Sequence, residues 1–224
     1  MADRIPRSEF AANYALPDWR ILLHSIEGWF VAPTFPAGAA FLTAVADAAE
    51  AADHHPDLEL RYPGRVHVRL TSHDARGLTS RDADLAATIS ELAAAAGLTS
   101  EPSAAEQVEV AIDALDIDLV RPFWNAVLAY EDEPPVVPGD TVDGIRDPRG
   151  IGPGFWFQQM DEPRPQRNRI HLDVVVSHDE VQARLAAALA AGGTLLNDAE
   201  APAFWVLADA EGNEACLCTW QGRD

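Results

Sequence analysis

Apolar residues in the first third of the chain fall into short runs and longer periodic stretches. Trp19, Ile21 and Leu23, then Trp29, Phe30 and Val31, form two runs broken by Glu27-Gly28, which predicts two strands joined by a turn at that dipeptide. Phe41, Val45, Ala48, Ala49 and Ala52 recur at helical spacing. Pro56 ends that stretch, because proline disfavours helical geometry in the residue before it. After Pro63-Gly64, Val66, Val68 and Leu70 alternate with His67, Arg69 and Thr71, the period-two pattern of a half-buried strand that turns His67 to solvent. Thr79, with Asp82 three residues on, opens a second Ala-rich helix to about Ala96, and Gly97 stands where a C-terminal cap belongs.

Leu98 to Gln107 lacks an apolar face and is rich in Ser, Glu and Ala, so it reads as a linker. The boundary is placed near 104, giving domains at 1–103 and 104–224. Beyond it VEVAIDALD at 108–116 and RIHLDVVVS at 169–177 are both strand-like and each leads into a helical segment, with Glu109 and His171 equivalent at an offset of 62. The same offset relates Asp147 to Asp209 and Gly150 to Gly212, so DPRG and DAEG read as one turn used twice. The fold class is α+β: an N-terminal antiparallel sheet backed by helices, then a tandem repeat of strand, helix and further strands.

Composition narrows the chemistry. Thirty-six acidic against sixteen basic residues give a formal charge of -20, which repels a phosphate backbone and argues against nucleic acid as a partner. The N-terminus has no apolar core of signal-peptide length and no run of about 18 uncharged apolar residues occurs, so a soluble, cytoplasmic protein with no membrane partner is expected. Cys216 and Cys218 lie two apart on one strand, where pairing is awkward, and are read as reduced thiols. There is no lysine, which excludes Schiff-base chemistry and leaves acid–base work to histidines and carboxylates.

Those groups cluster. Glu50 and His54 are four apart near a helix end, so a carboxylate there is placed to orient an imidazole. His55 projects from the adjacent corner, and His73 follows the strand ending near Thr71. Singly, a His-His-Pro marks a helix end and Asp82 a cap; the ordered set is what carries information.

The run E-A-A-D-H-H-P, then Tyr62, then S-H-D-A-R-G-L-T-S-R-D, resembles the pterin-4a-carbinolamine dehydratases over roughly residues 15 to 97. Two departures are a spacing one residue longer between Tyr62 and His73, and an N-terminal region without a clear first helix. The resemblance implies dehydration of a 4a-hydroxytetrahydropterin to the quinonoid dihydropterin, the recycling step after an aromatic amino acid hydroxylase. It further implies a catalytic set of His54 and His73 as acid–base groups, His55 as pterin binder that also assists proton transfer, Glu50 as orienting carboxylate and Asp82 as the family's matching acid, with no cofactor. A homo-oligomer is expected. Animal relatives of the family also act as dimerisation partners of a transcription factor, which leaves a non-catalytic interaction module as an alternative.

The second half, with D-I-D-L-V-R-P-F-W-N-A-V-L, N-R-I-H-L-D-V and D-A-E-G-N-E-A-C, resembles the glyoxalase-like branch of the vicinal oxygen chelate superfamily. That implies a tandem βαβββ domain with a small-molecule cup, to which Trp124, Trp156, Phe157, Phe204 and Trp205 are candidate lining. Metal positions, if used, match Glu109, Gln158, His171 and Cys216. Cys216 stands where a carboxylate is usual, so a site without metal is favoured over a soft-ligand one. A metal-dependent lyase or dioxygenase in this half is the remaining alternative.

Overall fold

The computed structural model describes residues 4–135, 141–163, 171–176, 178–219 and 221. The chain divides into two compact units, Met1–Gln107 and Val108–Asp224. Among the described residues no helix is long and apolar enough to cross a membrane.

The first unit opens on a short helix, α1 (Arg7–Asn13), where no clear helix was legible. Seven residues with one buried side chain, Phe10, offer no period to read. β1 (Trp19–Leu22) and β2 (Ser25–Val31) form a hairpin whose turn is Leu23-His24 rather than Glu27-Gly28. Glu27 and Gly28 lie inside β2, opposite Arg20 and Trp19. A side chain at Gly28 would meet the Trp19 ring at 3.2 Å, so the glycine serves ring packing and not a turn.

α2 (Phe35–Ala52) is capped by Thr34, whose hydroxyl accepts from the Ala37 amide at 3.2 Å. β3 (Asp57–Arg61) and β4 (Arg65–Leu70) follow, then α3 (Ser80–Ala95) and β5 (Thr99–Ser100). The sheet runs β1-β2-β4-β3, antiparallel throughout, with β5 paired to the end of β2. Thr99 and Ser100 therefore belong to this sheet, although the segment reads as linker: two residues are too few to show alternation. Val66, Val68 and Leu70 of β4 and Ile26 and Phe30 of β2 pack against Phe41, Val45 and Ala49 of α2 and Leu85, Ala86 and Ile89 of α3 to form the core.

The second unit repeats one pattern twice. β6 (Glu109–Ala114), α4 (Ile117–Leu128), β7 (Glu131–Asp132), β8 (Gly144–Arg146) and β9 (Gly154–Gln159) make the first copy. β10 (Leu172–Val175), α5 (Val181–Ala190), β11 (Thr194–Asn197), β12 (Phe204–Ala208) and β13 (Glu214–Cys218) make the second. Each sheet places its first strand parallel to its last, in the orders β6-β9-β8-β7 and β10-β13-β12-β11. Arg169, Ile170 and Ser177 of the expected second strand lie outside the described residues.

The recurring turns share a construction. Asp147 accepts from the amides of Arg149, Ile151 and Gly152, and Asp209 from those of Glu211 and Asn213. Gly150 and Gly212 supply φ of 70° and 91°, where a side chain would be strained. Asp209 also accepts from the Trp124 indole N–H at 3.0 Å, tying α4 to the second copy's turn. Trp124, Phe157 and Trp205 are core, whereas Trp156 is exposed and Phe204 half-buried, so the expected aromatic lining divides.

Candidate active site

α2 stops at Ala52 because Asp53 adopts the left-handed conformation, φ 49° and ψ 41°, and donates its N–H back to Ala49 and Glu50. The helix thus ends before Pro56 acts on it. His54 leaves the helical path, its own N–H closing on the Ala49 carbonyl at 3.1 Å. The four-residue helical spacing to Glu50 is therefore lost. His54 turns inward, 6% exposed, and its Nε2 stands 2.8 Å from Oδ1 of Asp82.

Asp82 is fully buried at the third position of α3. It closes a capping box with Thr79, whose amide donates to Asp82 Oδ2 at 2.7 Å. The Ser72 hydroxyl donates to the same oxygen at 2.8 Å. With Oδ2 engaged by these donors, Oδ1 is left to accept from the His54 Nε2–H. That places the proton of the neutral imidazole on Nε2 and leaves Nδ1 without one.

His73 is exposed in the turn that begins at Ser72. Ser72 and Gly77 bridge across the neck of that turn, and the Asp74 carboxylate takes a hydrogen bond from Arg81 of α3. The Arg81 hydrogen bond holds the Asp74 carboxyl below the usual carboxylate range. His54, Asp82 and Ser72 thus form a chain leading to the turn that carries His73. Glu50, expected to orient His54, instead meets His55 at 3.0 Å, and both are exposed. His67, expected at solvent, is 14% exposed: it stacks on Trp29 at 4.4 Å between ring centres and places Nε2 3.1 Å from Glu27. Ser72 joins the His54 cluster through Asp82, and in the sequence its one signal is adjacency to His73.

Of the metal positions in the second unit, His171 and Cys216 come together with Asp173, one ligand atom of each lying within 4.8 Å of the others. The parallel register of β10 and β13 sets Asp173 opposite Cys216, a pairing that spacing alone does not reveal. Among the described residues this is the single such group of His, Cys, Asp or Glu, and Glu109 is not in it. The exposed Gln158 amide turns to the Gln159 carbonyl at 3.4 Å. Burial, with the Asp173 carboxylate beside it, pushes the Cys216 thiol up to about 11. Imidazole, carboxylate and thiol suit zinc rather than magnesium or manganese; of the four expected positions, this group holds His171 and Cys216.

The family described as Pterin 4 alpha carbinolamine dehydratase matches residues 3–92, and that of the glyoxalase-like domain matches 109–218. A Chloroflexus aurantiacus protein named "Putative pterin-4-alpha-carbinolamine dehydratase" is 48% identical over 90 residues, covering 40% of this chain and 96% of its own length. One from Acidobacterium capsulatum, with the same name, is 44% identical over 92 residues, covering 41% and 99%. Among solved structures, a transcriptional coactivator/pterin dehydratase from Brucella melitensis is 31% identical, covering 41% of this chain and 99% of its own, with a TM-score of 0.38. A glyoxalase-related enzyme from Fulvimarina pelagi is 18% identical, covering 51% and 88%, also at 0.38. Through its first unit, then, the chain belongs to the pterin-4-alpha-carbinolamine dehydratase family, and it carries a glyoxalase-like domain as its second.

Proposed function

We propose that the first unit dehydrates a 4a-hydroxytetrahydropterin to the quinonoid dihydropterin, in the recycling of the pterin after a hydroxylase has used it. The observation that carries this reading is the buried His54–Asp82 pair at 2.8 Å. A carboxylate that accepts from Nε2 holds the ring in one tautomer and one orientation, as proton transfer requires. In the reaction the bond from C4a to the hydroxyl oxygen breaks, a proton joins that oxygen to release water, and the ring nitrogen N5 gives up a proton. The two transfers need one acid and one base, roles assigned to His54 and His73. His55, next to His54 in sequence and exposed, is assigned to pterin binding. The relatives' assignments support the same reading.

The test is stopped-flow dehydration of an enzymatically generated 4a-hydroxytetrahydropterin by the purified full chain. Acceleration well above the uncatalysed reaction is expected. A rate equal to that without protein, in a chain folded by circular dichroism, overturns the proposal and favours the interaction-module alternative.

A further inference from the structure

We propose that Ser72 is a positioning residue for this dehydration: one hydroxyl fixes both the carboxylate that orients His54 and the turn that carries His73. The proposal rests on the function proposed above. Ser72 is 1% exposed, and its hydroxyl lies 2.8 Å from Asp82 Oδ2 and 2.8 Å from Thr79 Oγ1. A serine hydroxyl has one proton. Given to Asp82, it leaves Ser72 Oγ to accept from the Thr79 hydroxyl, which itself lies 3.3 Å from Asp82 Oδ2, so the three groups form one compact cluster.

The helix cap does not need this serine. Thr79 and Asp82 complete their capping box between themselves, by bonds that exclude Ser72. What Ser72 adds is a second strong donor on Oδ2, 2.8 Å away, which resists rotation of the carboxylate and so keeps Oδ1 aimed at His54. The backbone of the same residue closes the His73 turn. Its N–H donates to the Gly77 carbonyl at 3.0 Å, and its carbonyl accepts from Ala75 at 3.1 Å and Gly77 at 3.4 Å. Anchoring the hydroxyl to α3 therefore anchors the neck of the turn, while Asp74 and Arg81 hold its far side. The two proposed proton-transfer groups share one support.

The experiment compares Ser72→Ala and Ser72→Thr with the full-length wild type by thermal unfolding, dehydration kinetics and ¹⁵N NMR of the His54 ring. Ser72→Ala is expected to fold, to lose about 10–100-fold in kcat and to change KM by less than about threefold. Its His54 nitrogen shifts should move from one dominant tautomer toward a mixture, and Ser72→Thr should recover both properties. If Ser72→Ala does not fold, Ser72→Cys, a weaker donor of similar size, carries the same readings. A folded Ser72→Ala with wild-type kcat overturns the proposal, as does a loss of kcat with unchanged His54 shifts. Should the wild type show no dehydration, the function proposed above falls. The His54 shifts would still decide whether Ser72 positions that ring.

Discussion

His54 has little freedom: it is buried, its backbone is fixed by the left-handed Asp53, and its ring is held by Asp82. His73 sits instead on an exposed turn. If both exchange protons with substrate, His54→Ala and His73→Ala each lower the dehydration rate by about 10²–10⁴-fold with the fold intact. Wild-type-like rates in both variants would remove them from the mechanism. The geometry also separates the two carboxylates. Asp82→Asn, which removes the charged acceptor from His54, Ser72 and Thr79, should reduce the rate far more than Glu50→Ala, whose partner His55 is exposed. The two rates measured side by side give the answer, and equal losses would return the orienting role to Glu50.

At the scale of elements, the turn before β9 carries a pH signature. Burial works to raise the Asp147 carboxyl, but the Arg149 side chain and the amides of Arg149, Gly152 and Ile151 outweigh it and hold the group well below its ordinary value. A carboxyl more acidic when folded than the roughly 3.9 of an unfolded aspartate stabilises fully above that pH and loses its effect as pH falls toward the folded value. Asp147→Asn should therefore unfold at lower temperature than wild type at pH 7, and the gap should narrow below about pH 4. A gap independent of pH would show that the charge does not matter. The strand pair β10 and β13 yields a second expectation: zinc added to chelator-treated protein binds through His171, Asp173 and Cys216. Calorimetry should show affinity reduced at least about tenfold by Cys216→Ser and unchanged by Glu109→Ala. A near-stoichiometric metal in the purified protein, lost on Glu109→Ala, would restore the four-residue set and with it the lyase or dioxygenase alternative.

For the molecule as a whole, two units with separate cores, Met1–Gln107 and Val108–Asp224, predict two separable folding bodies. The point of cleavage follows from the pairing of β5. Thr99 and Ser100 are bonded to β2 and Pro102–Ala104 form a 3-10 turn, so limited proteolysis should cut between residues 105 and 108 rather than throughout the expected linker. Each fragment should then unfold cooperatively, as followed by circular dichroism. A fragment that has lost its cooperative transition would mean the unit depends on its neighbour.

Local pattern was sufficient wherever one element could be read by itself. Helical spacing from Phe41 to Ala52, alternation from Val66 to Leu70, the capping pair Thr79 and Asp82 and the twice-used Asp-Gly turn all act within a few residues, and periodicity and side-chain chemistry exposed them. The ordered histidines, compared with a known family, pointed to a candidate site. Tertiary structure alone decided which groups meet. His54 is 28 residues from Asp82 in sequence, and only the left-handed turn at Asp53 moves it off the helix face of Glu50 and onto that carboxylate. His67 is drawn under Trp29 by the register of β4 with β2, and Asp173 is set beside Cys216 by the register of β10 with β13. Register and helix termination depend on burying whole faces against distant elements, so the energies that select them are absent from any short window of sequence.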